Sequence, residues 1–129
     1  RLLVDLATLT YQAEIALGPE IAAVLGRDDD AAARFLAAGD RAGEPLWRLP
    51  YDERYLDQVR TPAGVRNHPL RDSGRAITAA LFLRRFAEGR YMHFDIYGHQ
   101  PTAQPGRPQG GVGQGARAIL SALPKMLGI

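Results

Sequence analysis

The sequence contains no cysteine among its 129 residues. Disulfide bonds and thiol chemistry are therefore excluded. Serine and lysine are also scarce, because Ser73 and Ser121 are the only serines and Lys125 is the only lysine. Neither serine lies in a Gly-x-Ser-x-Gly motif, which disfavours nucleophilic catalysis by a Ser/His/Asp set.

Long apolar runs and blocks of like charge are missing as well. No apolar stretch approaches the roughly 20 residues that a membrane helix needs, and no signal peptide is recognisable at the N-terminus. The 16 basic and 14 acidic residues give a net charge of +2 and are interspersed, apart from the acidic triplet at residues 28–30. We therefore expect no nucleic-acid partner and no association with a membrane.

Residues 2–10, Leu-Leu-Val-Asp-Leu-Ala-Thr-Leu-Thr, form a short and nearly continuous apolar run. A run without alternation is typical of a strand covered on both faces, as in a parallel or mixed sheet. Such a strand needs a neighbour on each side. We therefore expect the chain to be part of a larger domain and to begin at a central strand.

The next segments carry turn and capping signals. Residues 13–17 and 21–25 are apolar and are separated by Gly18-Pro19, which predicts two strands joined by a tight turn. The acidic triplet then opens an alanine-rich helix that extends to about residue 42 and ends at Gly43. We favour this helix start over a metal site for the three carboxylates, because acidic residues suit the first turn of a helix.

The middle of the chain predicts elements of alternating type. They are an extended connector at residues 44–50, a short helix at 51–60, a loop with one short edge strand at 61–75, and a buried helix at 76–88. Trp47, the only tryptophan, is expected to anchor the connector in the core.

The C-terminal third begins with a strong strand pattern at residues 91–97. Its even positions are apolar and its odd positions are polar or aromatic, so the two faces differ. Residues 99–115 contain three prolines and five glycines, which predicts a long irregular loop. A last helix is predicted at residues 112–127, with a kink at Pro124. The alternation of helices and strands after residue 27 indicates an α/β fold.

The polar face of the strand at 91–97 could bind a metal. His93 and Asp95 point the same way, and His99 follows the C-terminal end of the strand. Histidine and aspartate are ligands for zinc or manganese. We favour another interpretation, in which Asp95 accepts a hydrogen bond from a loop amide and His93 is a satisfied, half-buried residue.

The glycine-rich segment at residues 111–115 could bind a nucleotide, because it opens a helix and nearly spells a phosphate-binding turn. The segment starts more than ten residues past its strand, and no acidic ribose ligand follows it. We favour a tight helix entry packed against the sheet and keep a nucleotide-binding protein as a minor alternative.

Several motifs also occur in a characteristic order. They are Asp5-Leu6-Ala7-Thr8-Leu9-Thr10, Ala16-Leu17-Gly18, Gly43-Glu44, Trp47-Arg48-Leu49-Pro50, Ile77-Thr78-Ala79-Ala80 with Phe82-Leu83 and Phe86, and His93-Phe94-Asp95-Ile96 with Gly98. With these motifs, the chain resembles the C-terminal portion of the leucyl (cytosol) aminopeptidase family of metallopeptidases over nearly all of its length.

The resemblance implies a fold and an activity. The expected fold is part of an α/β/α sandwich with a mixed sheet, in which residues 1–129 form a single domain, the C-terminal part of a peptidase catalytic domain. Members of the family are typically cytoplasmic homohexamers that remove N-terminal residues from peptides. Two divalent ions, zinc or manganese, polarise the substrate carbonyl and activate a bridging water.

The resemblance also places the metal ligands, the catalytic Lys and the catalytic Arg of the family upstream of residue 5. Lys125 lies in the last helix and cannot replace the catalytic lysine. We therefore expect this chain to contain no catalytic residue and no metal ligand, to bind no metal ion by itself and to be inactive alone. The alternative is a non-enzymatic module for assembly or binding that derives from the same fold.

The resemblance assigns part of the substrate pocket to this chain. By motif position, Thr8 and Leu9 line the substrate site. Tyr11 stands where the family usually has Gly, Tyr97 stands where it usually has Ala, and Gln100 stands where a hydrophobic pocket residue often lies. Two tyrosines in place of small residues predict a smaller or reshaped pocket for the first residue of the substrate. The alternative is that both tyrosines fill an edge covered by a loop.

Overall fold

The computed structural model describes residues 1–128. In chain order its elements are β1 (Leu2–Ala7), α1 (Tyr11–Leu17), β2 (Ala22–Gly26), α2 (Asp29–Ala42), β3 (Leu46–Arg48), a 3₁₀ helix (Glu53–Gln58), β4 (Arg60–Thr61), β5 (Gly64–Val65), α3 (Arg75–Arg84), β6 (Arg90–Asp95), β7 (His99–Gln100), β8 (Gly110–Gly111) and α4 (Ala116–Leu127).

The main sheet is mixed and has the strand order β1-β6-β2-β3. Strand β6 runs parallel to β1 and antiparallel to β2, and β3 runs parallel to β2. In the register of β1 and β6, Asp5 lies opposite His93 and Ala7 lies opposite Asp95. The last strand of the main sheet is therefore a central strand, between two strands from the start of the chain.

Helices cover both faces of this sheet. On one face, α2 and α4 pack over a core that includes Phe35, Met92 and Phe94. The rings of Phe35 and Phe94 meet edge to face with centroids 5.3 Å apart, a favourable aromatic arrangement. On the other face, α1 and α3 pack over a smaller core of mostly alanine side chains that also contains Leu25. The predicted α/β sandwich with a mixed sheet is confirmed.

Helix α2 forms as the sequence predicts. The Asp28 carboxylate accepts a hydrogen bond of 3.0 Å from the Ala31 amide and so satisfies one of the free N–H groups at the helix start. At the other end, Gly43 adopts a left-handed conformation with φ 64°, which favours glycine. The acidic triplet is therefore a helix start.

The predicted strand at residues 13–17 is wrong, because these residues belong to helix α1. Short apolar runs do not distinguish a strand from a buried helix. Ala13 and Leu17 are four residues apart and pack toward the sheet, while Ile15 is exposed. Helix α1 connects strands β1 and β2. These two strands are not neighbours in the sheet, because β6 lies between them, and a tight turn could not span that distance.

One prediction about burial is wrong, and one stays a prediction. In this chain, strand β1 leaves Leu3 and Leu6 48% and 41% exposed, and its coverage on both faces is expected only of the larger domain. Within residues 1–128, β1 pairs with β6 alone. Trp47 is 59% exposed and does not anchor the core, because β3 is an edge strand that buries the neighbouring Leu46 instead. Alternation along β3 turns Trp47 to the opposite face.

Boundaries in the second half of the chain differ from the prediction. The helix predicted at 76–88 ends at Arg84, and the loop predicted at 61–75 overlaps the β4–β5 hairpin. The segment at 99–115 contains the β7–β8 hairpin, so α4 begins at Ala116 and continues through Pro124. Backbone pairing between two-residue strands leaves no periodic pattern in a sequence.

None of the helices within residues 1–128 combines the length and the apolar character that a membrane-spanning helix requires.

Candidate functional site

The candidate site lies at the edge of the sheet that contains the carboxyl ends of the parallel strands β1 and β6. The Ile96 amide donates a hydrogen bond of 3.0 Å to the Ala7 carbonyl and continues the strand pairing. One residue later, the Thr8 hydroxyl donates to the Tyr97 carbonyl at 3.2 Å. The two segments that leave the sheet are therefore held side by side.

Asp95 organises the turn from β1 into α1. Its carboxylate is buried and accepts hydrogen bonds of 3.1 Å from the amides of Leu9 and Thr10, and a further one from the Thr10 hydroxyl. The interpretation of Asp95 as an acceptor for loop amides is confirmed. Because hydrogen bonds to a charged group are stronger than neutral ones, this carboxylate fixes where Leu9 and the start of α1 lie.

A cavity of about 170 Å³ opens beside this turn. We call it the Tyr97 cavity. Four of the five predicted site residues line it, namely Thr8, Leu9, Tyr11 and Tyr97, and Glu14 from α1 also lines it. Tyr97 is half-buried and Tyr11 is 72% exposed. Parallel strands that end at one edge thus bring together residues that are almost 90 positions apart.

Gln100 lies elsewhere. It lines a neighbouring cavity of about 360 Å³, here called the Gln100 cavity, together with His99, Arg107 and Arg117. Its side chain is buried, and its amide group donates a hydrogen bond of 2.8 Å to the Thr102 carbonyl. The structure therefore does not place Gln100 with the other four residues, because Gln100 is held within the turn that follows β7.

Gln114 lines the Gln100 cavity and holds the backbone at Tyr97, and the sequence gives no sign of this role. Its buried side-chain oxygen accepts hydrogen bonds from the amides of Tyr97 at 2.8 Å and Gly98 at 3.1 Å. Its side-chain nitrogen donates to the Pro19 carbonyl at 3.1 Å. One glutamine therefore joins the segment after β6 to the turn before β2. A glutamine in a glycine-rich loop has no pattern that predicts such a role.

The start of α4 is occupied by a side chain of this chain. The buried Glu44 carboxylate accepts a hydrogen bond of 2.8 Å from the Ala118 amide, and Arg117 lies 3.7 Å from its other oxygen. An anion at a helix N-terminus is favourable, and Glu44 already fills that role. The alternative of a nucleotide held by residues 111–115 is therefore disfavoured, and the interpretation as a packed helix entry is supported.

His93 is fully buried, not half-buried as predicted, and it is not fully satisfied, because its Nε2 has no hydrogen-bond partner within residues 1–128. Its Nδ1 lies 2.6 Å from the Asp5 carboxylate, to which the Tyr91 hydroxyl also donates a hydrogen bond. Burial acts to raise the pKa of Asp5, but the hydrogen bonds from His93 and Tyr91 outweigh it and hold that pKa below its usual range. Burial, together with the hydrogen bond to Asp5, raises the pKa of Tyr91 well above its usual range.

The three residues of the possible metal site do not come together as ligands. Asp95 and the Nδ1 atom of His93 have the partners described above, and the His99 ring lies against Tyr97 with centroids 6.2 Å apart. Among residues 1–128, no group of three or more histidine, aspartate or glutamate side chains is arranged to hold a metal ion.

These features define the class of protein, an α/β sandwich with a cavity at the carboxyl ends of two parallel strands, β1 and β6. The model of the cytosol aminopeptidase family, catalytic domain, matches residues 1–120. The chain belongs to this family. The resemblance that the sequence motifs indicate is therefore confirmed.

Curated relatives and solved structures agree with this assignment. A probable cytosol aminopeptidase of Synechococcus elongatus is 40% identical over 122 residues, which are 92% of this chain and 25% of the relative. The neutral leucine aminopeptidase, chloroplastic, of Solanum lycopersicum is 42% identical over 98 residues, 74% of this chain and 17% of its own length. The chain thus spans about a quarter or less of the curated relatives that it matches.

Two solved structures superpose closely. The cytosol aminopeptidase from Coxiella burnetii has a TM-score of 0.87 at 35% identity, covering 96% of this chain and 28% of that structure. The bottromycin maturation enzyme BotP, also solved in complex with Mn, has a TM-score of 0.86 at 37% identity, covering 97% of this chain and 29% of that structure.

Proposed function

We propose that this chain forms the C-terminal part of the catalytic domain of a leucyl-aminopeptidase-like enzyme, which removes N-terminal residues from peptides. The observation that carries the proposal is the Tyr97 cavity, because four residues selected by motif position line it together. The names of the relatives support the activity class.

In this proposal, Thr8 and Leu9 line the place where the first residue of the substrate binds. Tyr11 and Tyr97 restrict its volume, and 170 Å³ is below the usual size of a small-molecule pocket. The cavity therefore accepts one side chain rather than a whole ligand. A substrate role for Gln100 stays a prediction, and it would act through the neighbouring cavity.

Two divalent ions, manganese or zinc, belong to the proposed activity, and the BotP complex with Mn supports a metal in a relative. The residues of this chain do not fit such a site. The oxygens of Asp95 and Asp5 already accept hydrogen bonds, and residues 1–128 offer no group of three suitable side chains. We propose that residues upstream of β1 in the complete enzyme bind both ions, and that this chain alone is inactive.

The test is release of leucine from leucinamide by the purified chain with added manganese or zinc, beside the full-length protein that contains it. We expect activity from the full-length protein only. Metal-dependent activity of the chain alone, lost in His93→Ala or Asp95→Ala, would show that the ligands lie here. Absence of activity from both proteins would count against an aminopeptidase.

The cellular setting is also part of the proposal. We expect a cytoplasmic homohexamer that acts on peptides, without a nucleic-acid or membrane partner, and the names of the curated cytosol aminopeptidases support the location. A non-enzymatic assembly module is the other candidate. Sedimentation of the full-length protein measures the hexamer, and a stable oligomer without peptidase activity would favour the module.

A further inference from the structure

Glu14 gives the Tyr97 cavity a charge that the sequence motifs do not account for. Helix α1 starts at Tyr11, and Glu14 lies three residues later, which places both side chains on the same face of the helix. Glu14 is half-buried and lines the cavity with Tyr11 and Tyr97. Glu14 therefore forms part of the wall of the proposed pocket.

The cavity lining is acidic and contains no base. Its only carboxylates are Glu14 and Asp95, and no arginine, lysine or histidine lines it, although the chain has 16 arginine and lysine residues. The Asp95 oxygens are used by Leu9 and Thr10. The Glu14 side chain makes no hydrogen bond or ion pair with any of residues 1–128. Glu14 is thus the charge that remains available to a ligand.

Aromatic rings complete the wall. Tyr11 and Tyr97 both line the cavity, and the face of a tyrosine ring attracts a cation. A carboxylate that shares a cavity wall with two aromatic residues is complementary to an extended side chain with a positive end, whose methylene groups can contact the rings. A leucine side chain would leave the Glu14 carboxylate without a partner in a partly desolvated site, which is unfavourable.

We propose that the Tyr97 cavity selects a cationic side chain, of the lysine or arginine type, on the first residue of a peptide, and that Glu14 provides the opposing charge. This inference rests on the proposed function, because it assigns a substrate class to the same site. The α-ammonium group, which all peptide substrates share, is the competing partner for Glu14.

Two matched substrates separate these partners. Lysinamide and norleucinamide share the α-ammonium group and a four-carbon side chain, and they differ in the terminal ammonium group. We expect the full-length protein to show kcat/KM roughly tenfold higher for lysinamide, the effect of one additional charge pair. In Glu14→Gln that ratio falls to about one, because lysinamide alone loses its partner.

Glu88→Gln is the control, because it removes the same charge from an exposed residue that lines neither the Tyr97 cavity nor the Gln100 cavity. It should leave the ratio unchanged. An equal loss for both substrates in Glu14→Gln would assign Glu14 to the α-ammonium group and overturn the inference. Equal hydrolysis of both substrates by the unaltered protein would overturn it as well, while the proposed function would stand.

A binding measurement keeps the two proposals separate. If neither amide is hydrolysed, the proposed function fails, and calorimetric titration of the same protein with lysinamide and norleucinamide still tests the cavity. Tighter binding of lysinamide that is lost in Glu14→Gln supports the cationic pocket. Equal binding of the two amides, or no binding of either, contradicts it.

Discussion

At the scale of single residues, Asp5 joins two neighbouring strands through its side chain. It lies on β1 and receives hydrogen bonds from His93 and Tyr91 on β6. The ladder of backbone hydrogen bonds between β1 and β6 is thus supplemented on the face that α1 and α3 cover. Groups of this kind link the stability of the sheet to pH.

The pKa of Asp5 is lower in the folded chain than in the unfolded one, so its contribution to stability is present above the usual aspartate range, near 4. It is lost as the pH falls through the lower, folded-state value. As the pH is lowered from about 5 to 2, we expect the free energy of unfolding to fall less for Asp5→Asn than for the unaltered chain. Urea unfolding at a series of pH values measures this, and Asp40→Asn, at an exposed position, is the control. Equal acid sensitivity of Asp5→Asn and the unaltered chain would contradict the assignment.

At the scale of elements, helix α4 is held at its start by residues from other segments. Glu44 precedes β3 and reaches the Ala118 amide, while Gln114, just before the helix, reaches Pro19 and the segment after β6. The position of α4 relative to the sheet therefore depends on two buried polar side chains as well as on apolar packing. Each of them supports a separate prediction.

We expect Glu44→Ala to lower the free energy of unfolding by about 2 kcal/mol, because it leaves the buried Ala118 amide without its acceptor at a helix N-terminus. Chemical denaturation measures the change. Asp40→Ala removes a carboxylate from an exposed position on α2 and should have little effect. If both substitutions cost the same, Glu44 has no special role at the start of α4.

Gln114→Ala should release the segment that carries Tyr97. The amides of Tyr97 and Gly98 lose their common acceptor, so hydrogen exchange at both should accelerate, and the free energy of unfolding should fall by about 1–3 kcal/mol. Gln109→Ala removes an exposed glutamine and should leave both exchange rates unchanged. Unchanged protection of Tyr97 in Gln114→Ala would show that other contacts hold the segment.

The sequence predicts elements that are long or clearly capped. Helix α2 shows its apolar face, its Asp28 cap and its terminal Gly43 in the residues themselves, and β6 shows two chemically distinct faces. Helix α1 has only seven residues, so its pattern is too short to distinguish from a strand. The exposure of Trp47 follows from the position of β3 at the sheet edge, which depends on strand order and not on local sequence.

The candidate site is predictable to a similar degree. Motif positions give Thr8, Leu9, Tyr11 and Tyr97, and the structure places these four around one cavity. The separation of Gln100 arises from the β7–β8 hairpin, whose strands have only two residues each. The role of Gln114 arises from contacts with Pro19 and Tyr97, which are distant in sequence. Contacts of this kind appear only when the chain is folded.

At the scale of the whole molecule, β1 is an edge strand that carries exposed apolar side chains. Within residues 1–128, β1 has a partner on one side only, and Leu3 and Leu6 are exposed. An apolar edge strand is a template for pairing with another chain. We expect the isolated chain to self-associate through this edge.

Leu3→Lys should reduce that association, because a charged side chain on an edge strand opposes edge-to-edge pairing. Sedimentation velocity over a range of concentrations measures the effect. Leu70→Lys is the matched control, since Leu70 is 63% exposed in a loop away from the sheet edge. A chain that stays monomeric, or equal association of both variants, would show that the edge of β1 is not adhesive.

The central position of β6 also has a consequence for synthesis and folding. Strands β1 and β2 are complete by residue 26, but they have no contact in the sheet until residues 90–95 arrive between them. On a ribosome, β2 and β3 can pair early, but β1 must wait for β6 before it can join the sheet. Because distant pairings of this kind close large loops, we expect slow folding that depends on the last third of the chain.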